Sequence, residues 1–223
     1  MGSSAGLFPH AAQAQKFEVG IGFGTMLYKG EVSDYYNPQL ASPAIAALLK
    51  INFSHAVAFR VMLAGGRIRG DSRLNDNMIF NYLKTPYTFS HEVYEASMGI
   101  EYNFIDFRKY KSKQLGTPYL FGSIGVFTYT ARRDENQDDP GIGFCIPFGV
   151  GYKYVLSRNW NIGAEFGARK VFTGYLDGVH KNFIPPEGVG QRGFKDQDDW
   201  YSLSTINITY TFYKTNCPLD VID

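Results

Sequence analysis

The sequence has few charged residues and no long apolar run, and both shortages restrict what it can be. Charged residues make up 19% of the 223 residues, and the mean hydropathy is -0.21. No stretch approaches the ~18 consecutive apolar residues that a membrane helix needs, so a helical membrane protein is excluded. The net charge of +1 gives no basic footprint for nucleic acid, and no nucleic-acid partner is predicted.

Residues for metal or covalent chemistry are also scarce. The two cysteines, Cys145 and Cys217, form no C-x-x-C pair, and the four histidines are scattered, so neither a metal nor a cofactor is predicted. No G-x-S-x-G elbow occurs. Ser90 and His91 are neighbours on a predicted strand and point to opposite faces, so they cannot pair directly. We therefore predict a protein that is not an enzyme.

Aromatic residues and glycine are plentiful, and they recur in segments with strict two-residue alternation. The chain has 16 Tyr, 18 Phe and 24 Gly. Eight segments alternate over ten or more residues: 17–29, 43–53, 56–69, 91–104, 118–131, 142–154, 159–172 and 199–213. Soluble strands usually have five or six residues, whereas tilted membrane strands need roughly nine to eleven. The pattern predicts an all-β fold, an eight-stranded antiparallel transmembrane β-barrel with OmpA-like topology, over 16–213.

The connections between these segments alternate in length. Short turns are predicted at 54–55 and 157–158, and longer polar loops at 30–42, 70–90, 132–140 and 174–198. Such barrels keep short turns in the periplasm and long loops outside, so both termini are predicted to be periplasmic and the protein to lie in a Gram-negative outer membrane. Residues 1–15 are interpreted as a signal-peptide remnant or a disordered N-terminus, and 214–223 as a periplasmic tail.

The aromatic residues near strand ends suit the girdles at the two membrane interfaces. They are Tyr28, Tyr102, Phe104, Tyr152, Tyr154, Trp160, Tyr210 and Phe212. Cys145 alternates with the apolar row of its strand and is predicted to point inward. The two faces of segment 118–131 are too alike to orient it.

Charged residues on the strands fall on the face predicted to line the barrel interior, the lumen. They are Glu18, Lys50, Arg60, Glu95, Glu101, Glu165 and Arg169. An eight-stranded barrel is only just wide enough to be filled by its own side chains, and buried charges must be paired. We interpret these residues as a mutually neutralising plug; an ion pathway is the alternative.

Two segments on the predicted periplasmic side are candidate partner-binding sites. The link between the fourth and fifth strands carries Arg108, Lys109, Lys111 and Lys113, and the C-terminal tail carries Cys217 and Pro218. Cys217 would lie in an oxidising compartment, which allows an intermolecular disulfide, with a free thiol as the alternative. A solvated loop and a frayed terminus are the simpler interpretation of both segments.

Three blocks of sequence resemble a known family. They are TPYLFG at 117–122, FGVGYKY at 148–154, and WNIGAEFGAR at 160–169 with its continuation YLDGV at 175–179. The chain resembles, over about 17–213, the PorG-type barrels of Bacteroidota. That resemblance implies an outer-membrane component of the type IX secretion system, tied to a periplasmic ring of PorK-like lipoprotein and PorN-like protein. It implies an anchor or scaffold embedded in outer-membrane lipid, and no catalytic residue.

Two other functions remain open at this point. One is a stand-alone structural or adhesion barrel of the small OmpA kind, which would use its outer loops. The other is a lipid-modifying outer-membrane enzyme.

Overall fold

A computed structural model describes residues 16–29, 38–54, 56–71, 88–105, 115–134, 137–172 and 200–212. It contains eight strands and a short 3-10 turn, Pro38–Leu40, before the second strand. The strands are β1 Lys16–Lys29, β2 Ser42–Asn52, β3 Val57–Asp71, β4 Thr88–Asn103, β5 Gly116–Asp134, β6 Gln137–Val155, β7 Trp160–Val171 and β8 Trp200–Phe212. No helix in these ranges is long and apolar enough to cross a membrane.

The eight strands form one closed antiparallel barrel in which each strand pairs with its neighbours in sequence. β1 and β8 close it, with a register that runs from Phe17 opposite Phe212 to Lys29 opposite Trp200. Closure leaves no free sheet edge, so every strand has a partner on both sides. The predicted fold, including the number of strands and their order, is confirmed.

Both predicted short turns are confirmed, and a serine organises each. The backbone N–H groups of Phe53 and Ser54 donate to the Val57 carbonyl, and the Ser54 hydroxyl accepts from the Val57 N–H at 2.9 Å. In the turn after β6, Ser157 has the same two roles toward Trp160. Serine hydroxyls can bond backbone groups a few residues along the chain, which stabilises such turns. These turns lie at the same end of the barrel as the start of β1 and the end of β8, here called the short-turn end.

The prediction of a loop at 132–140 is wrong, because most of these residues belong to strands. β5 continues to Asp134 and β6 begins at Gln137, with a register shift between Arg132 and Asp134. A pair of strands that extends beyond the bilayer keeps its ladder of backbone hydrogen bonds but needs no apolar face. The loss of alternation therefore marks the point where the strands leave the apolar layer, and the strands themselves continue. This opposite end of the barrel is here called the long-connection end.

The outer surface of the barrel is apolar. Along β4 and the residue that follows it, the outward residues are apolar from Tyr94 to Phe104. At ~3.3 Å per residue and a tilt of about 40°, this stretch covers about 25 Å, the height of a membrane band. At the short-turn end, Trp160, Tyr210 and Phe212 pack edge to face, with ring centroids 5.1 and 4.8 Å apart. This cluster has the position and composition of an interfacial girdle.

The structure settles two questions about aromatic side chains. Tyr28, predicted in the outer girdle, is 1% exposed and lies inside the barrel. Both faces of β5 are apolar, with aromatic residues inward and mainly aliphatic residues outward, which is why its alternation did not orient it. Its inward residues include Tyr119, Phe121, Phe127 and Tyr129, and its outward residues include Leu120, Ile124 and Val126.

Candidate functional site: the charged interior

All seven charged residues predicted to line the lumen are buried inside the barrel. An eighth, Lys153 on β6, lies among them and is 1% exposed. In the described part of the chain the interior therefore holds four acidic residues and four residues of the Lys and Arg type, so their formal charges cancel. The eight, here called the charge network, are Glu18, Lys50, Arg60, Glu95, Glu101, Lys153, Glu165 and Arg169.

Glu101 on β4 is the centre of the larger part of the charge network. Its carboxylate contacts Lys50 Nζ at 2.6 Å, Lys153 Nζ at 2.9 Å and Arg60 Nη1 at 3.8 Å. These partners come from β2, β6 and β3, so the contacts cross the lumen as well as following neighbouring strands. Attraction to three surrounding cations offsets the free energy that this carboxylate loses when it is removed from water.

Arg60 makes the most specific contact in the interior. Its Nη2 and Nη1 donate to Oε1 and Oε2 of Glu165 at 2.9 and 3.0 Å, and the guanidinium carbon lies 4.2 Å from the ring centroid of Phe121. The Tyr119 hydroxyl donates to the same carboxylate at 3.0 Å. Two parallel hydrogen bonds and a stacked ring fix the position of the guanidinium, a geometry that lysine cannot reproduce.

Lys153 connects Glu101 to Glu18 on β1. Its Nζ lies 3.5 Å from the Glu18 carboxylate, and the Thr209 hydroxyl donates to the same carboxylate at 2.7 Å. The sequence carried a signal for Lys153 that was overlooked: it stands between Tyr152 and Tyr154, which both face outward. Strict alternation places it inside.

A second group of charges lies closer to the long-connection end. Arg169 Nε donates to Glu95 Oε2 at 3.1 Å, and Arg169 Nη1 donates to the Gly167 carbonyl at 2.6 Å. Glu95 also accepts hydrogen bonds from Tyr201 at 2.7 Å and from Ser97 at 3.0 Å. Each carboxylate of the charge network thus has both a cation and a hydroxyl donor, or several cations, within reach.

The lumen is layered along the barrel axis. Apolar side chains pack in the half toward the long-connection end, the charge network follows, and neutral polar residues lie nearest the short turns. The apolar layer includes Met26, Tyr28, Ile68, Val93, Val171 and Leu203, and the polar layer includes Asn52, Asn103, Thr117, Asn161 and Thr211. Most of these side chains have almost no accessible surface. The packed and paired interior therefore has a structural role: it fills the lumen and links the strands across it.

The other candidate residues are placed as follows. Ser90 points outward and His91 inward, where its Nδ1 lies 2.8 Å from the Thr130 carbonyl, so the two side chains form no pair. Cys145 is buried, with its sulfur 3.9 Å from the Tyr201 hydroxyl. Within the described ranges, no group of three or more His, Cys, Asp or Glu could hold a metal ion. Other predicted features lie outside the described residues. They are 1–15, the loop residues 30–37, 72–87 and 174–198, the basic link (Arg108, Lys109, Lys111, Lys113), and the tail 214–223 with Cys217 and Pro218.

An apolar outer face around a closed, charged and filled interior is the reverse of a soluble protein, and it defines a transmembrane β-barrel. The chain belongs to the family described as a domain of unknown function, DUF6089, whose model matches residues 7–219. A search of the curated proteins found no match.

Solved structures share this fold at low sequence identity. Neisserial surface protein A (NspA) aligns with a TM-score of 0.57 and 10% identity, covering 88% of this chain and 97% of that one. Ail, the attachment invasion locus protein of Yersinia pestis, was solved in complex with the heparin analogue sucrose octasulfate. It aligns with a TM-score of 0.52 and 12% identity over 90% of this chain and 100% of that one. At these identities the likeness shows the fold.

Proposed function

We propose that this protein is a non-enzymatic outer-membrane barrel that anchors the periplasmic ring of a type IX secretion system. The observation that carries the proposal is the closed lumen, in which four acidic and four basic side chains neutralise one another. An interior of this kind favours an anchor over a conduit, because passage of an ion or a peptide would require buried pairs to separate at a cost of several kcal/mol each.

The location and the partner come from other observations. The fold shared with NspA and the apolar outer band support an outer-membrane location. The blocks at 148–154 and 160–169 resemble PorG-type barrels, which supports a ring of PorK-like lipoprotein and PorN-like protein as the partner. In barrels of this class the short turns face the periplasm, so the ring would meet the short-turn end.

The candidate contacts are the basic link and the C-terminal tail. The basic link runs from Arg108 to Lys113, and the tail carries Cys217 and Pro218. The link follows β4 and the tail follows β8, and both strands finish at the short-turn end. An acidic patch or a cysteine of a ring protein would match them.

Crosslinking and mass spectrometry of intact membranes tests the proposal. We expect crosslinks from the basic link and the tail to PorK-like and PorN-like proteins. Deletion of residues 217–223, or substitution of the four basic residues of the link by Gln, should lower co-purification of the ring. Lys170→Gln, a change at the other end of the barrel, is the control. A wild-type barrel that captures no ring protein would contradict the proposal, and a deletion without effect would remove the tail from the interface.

A second candidate is a stand-alone adhesion barrel, which the fold shared with Ail favours. Shortening the connections at the long-connection end would then abolish binding to a surface ligand, and the wild-type barrel would co-purify no ring protein. The anchor predicts no such loss of surface binding.

A further inference from the structure

The outer face of the barrel carries a groove where small residues interrupt the apolar band. Ala47 on β2 and Ala96 on β4 flank Leu63 on β3, and Gly65 lies one outward position further toward the long-connection end. The groove has a volume of about 660 Å³, which is within the range of ligand clefts. Its walls include Ile21, Ile45, Leu63, Tyr94, Val126 and Ile142.

The groove opens at the edge of the apolar band. Tyr94 is the last apolar outward residue of β4 toward the long-connection end, and the next outward residue is Glu92. On β3 the outward residues after Gly65 are Arg67 and Arg69. At ~3.3 Å per residue, Arg67 lies about 7 Å and Arg69 about 13 Å beyond Gly65 along the strand. Two cations therefore stand beyond one end of the groove on the same strand.

Neither cation is fully neutralised by its neighbours. Arg67 Nη2 donates to Glu92 at 2.9 Å, but the Arg67 side chain stays 46% exposed, and a guanidinium has five N–H donors. Glu92 also accepts from the Tyr94 hydroxyl at 3.3 Å. Arg69 is exposed and makes no ion pair with the described part of the chain. This arrangement suits a ligand with a phosphate head and an acyl chain, because guanidinium groups bind phosphate through charge-assisted hydrogen bonds.

We propose that this surface binds one molecule of lipid A, with a phosphate on Arg67 and Arg69 and an acyl chain in the groove beside Leu63. A lipid is the expected occupant because the groove lies within the membrane band, where lipids are the surrounding molecules. The choice of lipid A over a phospholipid rests on the orientation proposed above, which puts the long-connection end in the outer leaflet. A phosphorylated glycolipid there carries both the anion and the acyl chains.

Native mass spectrometry of the full chain, purified and delipidated in detergent, measures this binding directly. The probe is lipid A with two phosphates. We expect Arg67→Gln combined with Arg69→Gln to weaken binding at least about tenfold, the effect of losing one charge-assisted contact. Ala96→Leu, which narrows the groove, should also weaken it. Lys170→Gln is the matched control, because Lys170 is an outward cation at the same end of the opposite strand, β7, and it should leave binding unchanged.

Four results would overturn the proposal: equal affinity of all variants, equal binding of dephosphorylated lipid A, equal binding of phosphatidylglycerol, or a lipid-free dimer that Ala96→Leu disrupts. The last result would assign the groove to a second copy of the chain. Orientation is measured separately in a Cys217→Ser background, by labelling intact cells with an impermeant maleimide. Ser90→Cys should react and Arg158→Cys should not, so a wrong orientation is distinguished from a wrong site.

Discussion

Arg60 and Glu165 face each other across the lumen, 105 positions apart in sequence, and form two parallel hydrogen bonds of 2.9 and 3.0 Å. Both side chains have almost no accessible surface, 1% and 3%. The pair joins β3 to β7, which are not neighbours in the barrel. Contacts across the lumen hold opposite walls together in a way that the ladder between adjacent strands cannot.

Removing one member of this pair should destabilise the barrel more than removing both. Arg60→Met leaves the Glu165 carboxylate buried without its guanidinium, which we expect to lower the free energy of unfolding by about 3–5 kcal/mol. Arg60→Met combined with Glu165→Gln should recover most of that loss. Urea titration in detergent, followed by the fluorescence of the two tryptophans, measures the effect.

The exposed pair of Arg67 and Glu92 is the control for this cycle. Its N–O distance is also 2.9 Å, but the side chains are 46% and 49% exposed. Arg67→Met should therefore lower the free energy of unfolding far less than Arg60→Met does, in micelles without lipid A. Equal losses for Arg60→Met and Arg67→Met would contradict the interpretation of the interior as buried and tightly paired.

The sequence could predict the barrel because membrane strands must alternate, and it could predict most of the charge network because a charge cannot face lipid. Where the alternation is clean, as in β6, faces follow directly, and Lys153 could have been assigned from Tyr152 and Tyr154. Where a wide lumen layer is itself aromatic, as at Tyr119 and Phe127, apolarity no longer distinguishes inside from outside. Tyr28 was misplaced for the same reason.

Other features could not be predicted from alternation. The strand extension up to Asp134 depends on backbone pairing outside the bilayer, which imposes no pattern on side chains. Which acid pairs with which base depends on the register of all eight strands and on the distance across the lumen. Glu101, for example, takes its partners from three different strands. The alternation thus predicts which charged residues lie inside the barrel, but not which of them pair.

The intact barrel should not conduct ions. Because the charge network and the apolar layer have almost no accessible surface, we expect purified protein in planar bilayers to give no steady current above that of the empty membrane. Replacing both Lys50 and Glu101 by Ala keeps the net charge and shortens two interior side chains, and it should give small, measurable steps. A sizeable conductance of the wild-type protein would favour the ion pathway instead.

Replacement by alanine should change the stability of the barrel very differently at Gly24 and at Gly122. A Cβ on Gly24 would overlap the Ser204 backbone carbonyl, where β1 and β8 close the barrel, whereas a Cβ on Gly122 would meet nothing within 4 Å. Gly24→Ala should lower the free energy of unfolding by about 1–3 kcal/mol, because the backbone must move. Gly122→Ala should leave the free energy of unfolding unchanged or raise it by about 0.4–1 kcal/mol. Urea titration of both variants decides, and similar stabilities would show that the β1–β8 seam is looser than described.

The two cysteines should differ in accessibility. Cys145 is 2% exposed in the interior, whereas Cys217 lies in the C-terminal tail, outside the described residues. In the folded protein, Cys217→Ser should abolish maleimide labelling under reducing conditions, and labelling of Cys145 should return only after the barrel is unfolded. Cys145→Ala should leave the labelling of the folded protein unchanged. Rapid labelling of Cys145 in the folded barrel would mean that solvent reaches the lumen.

The tail cysteine should also form a disulfide with a partner if the anchor proposal holds. An exported protein with a thiol outside its barrel can pair with a second chain in the oxidising periplasm. Non-reducing electrophoresis of native membranes should then show a band of higher mass that disappears on reduction and in Cys217→Ser, but persists in Cys145→Ala. A band that persists in Cys217→Ser would exclude this residue as the link. With no such band in the wild-type protein, the tail would have to bind the ring without a covalent bond.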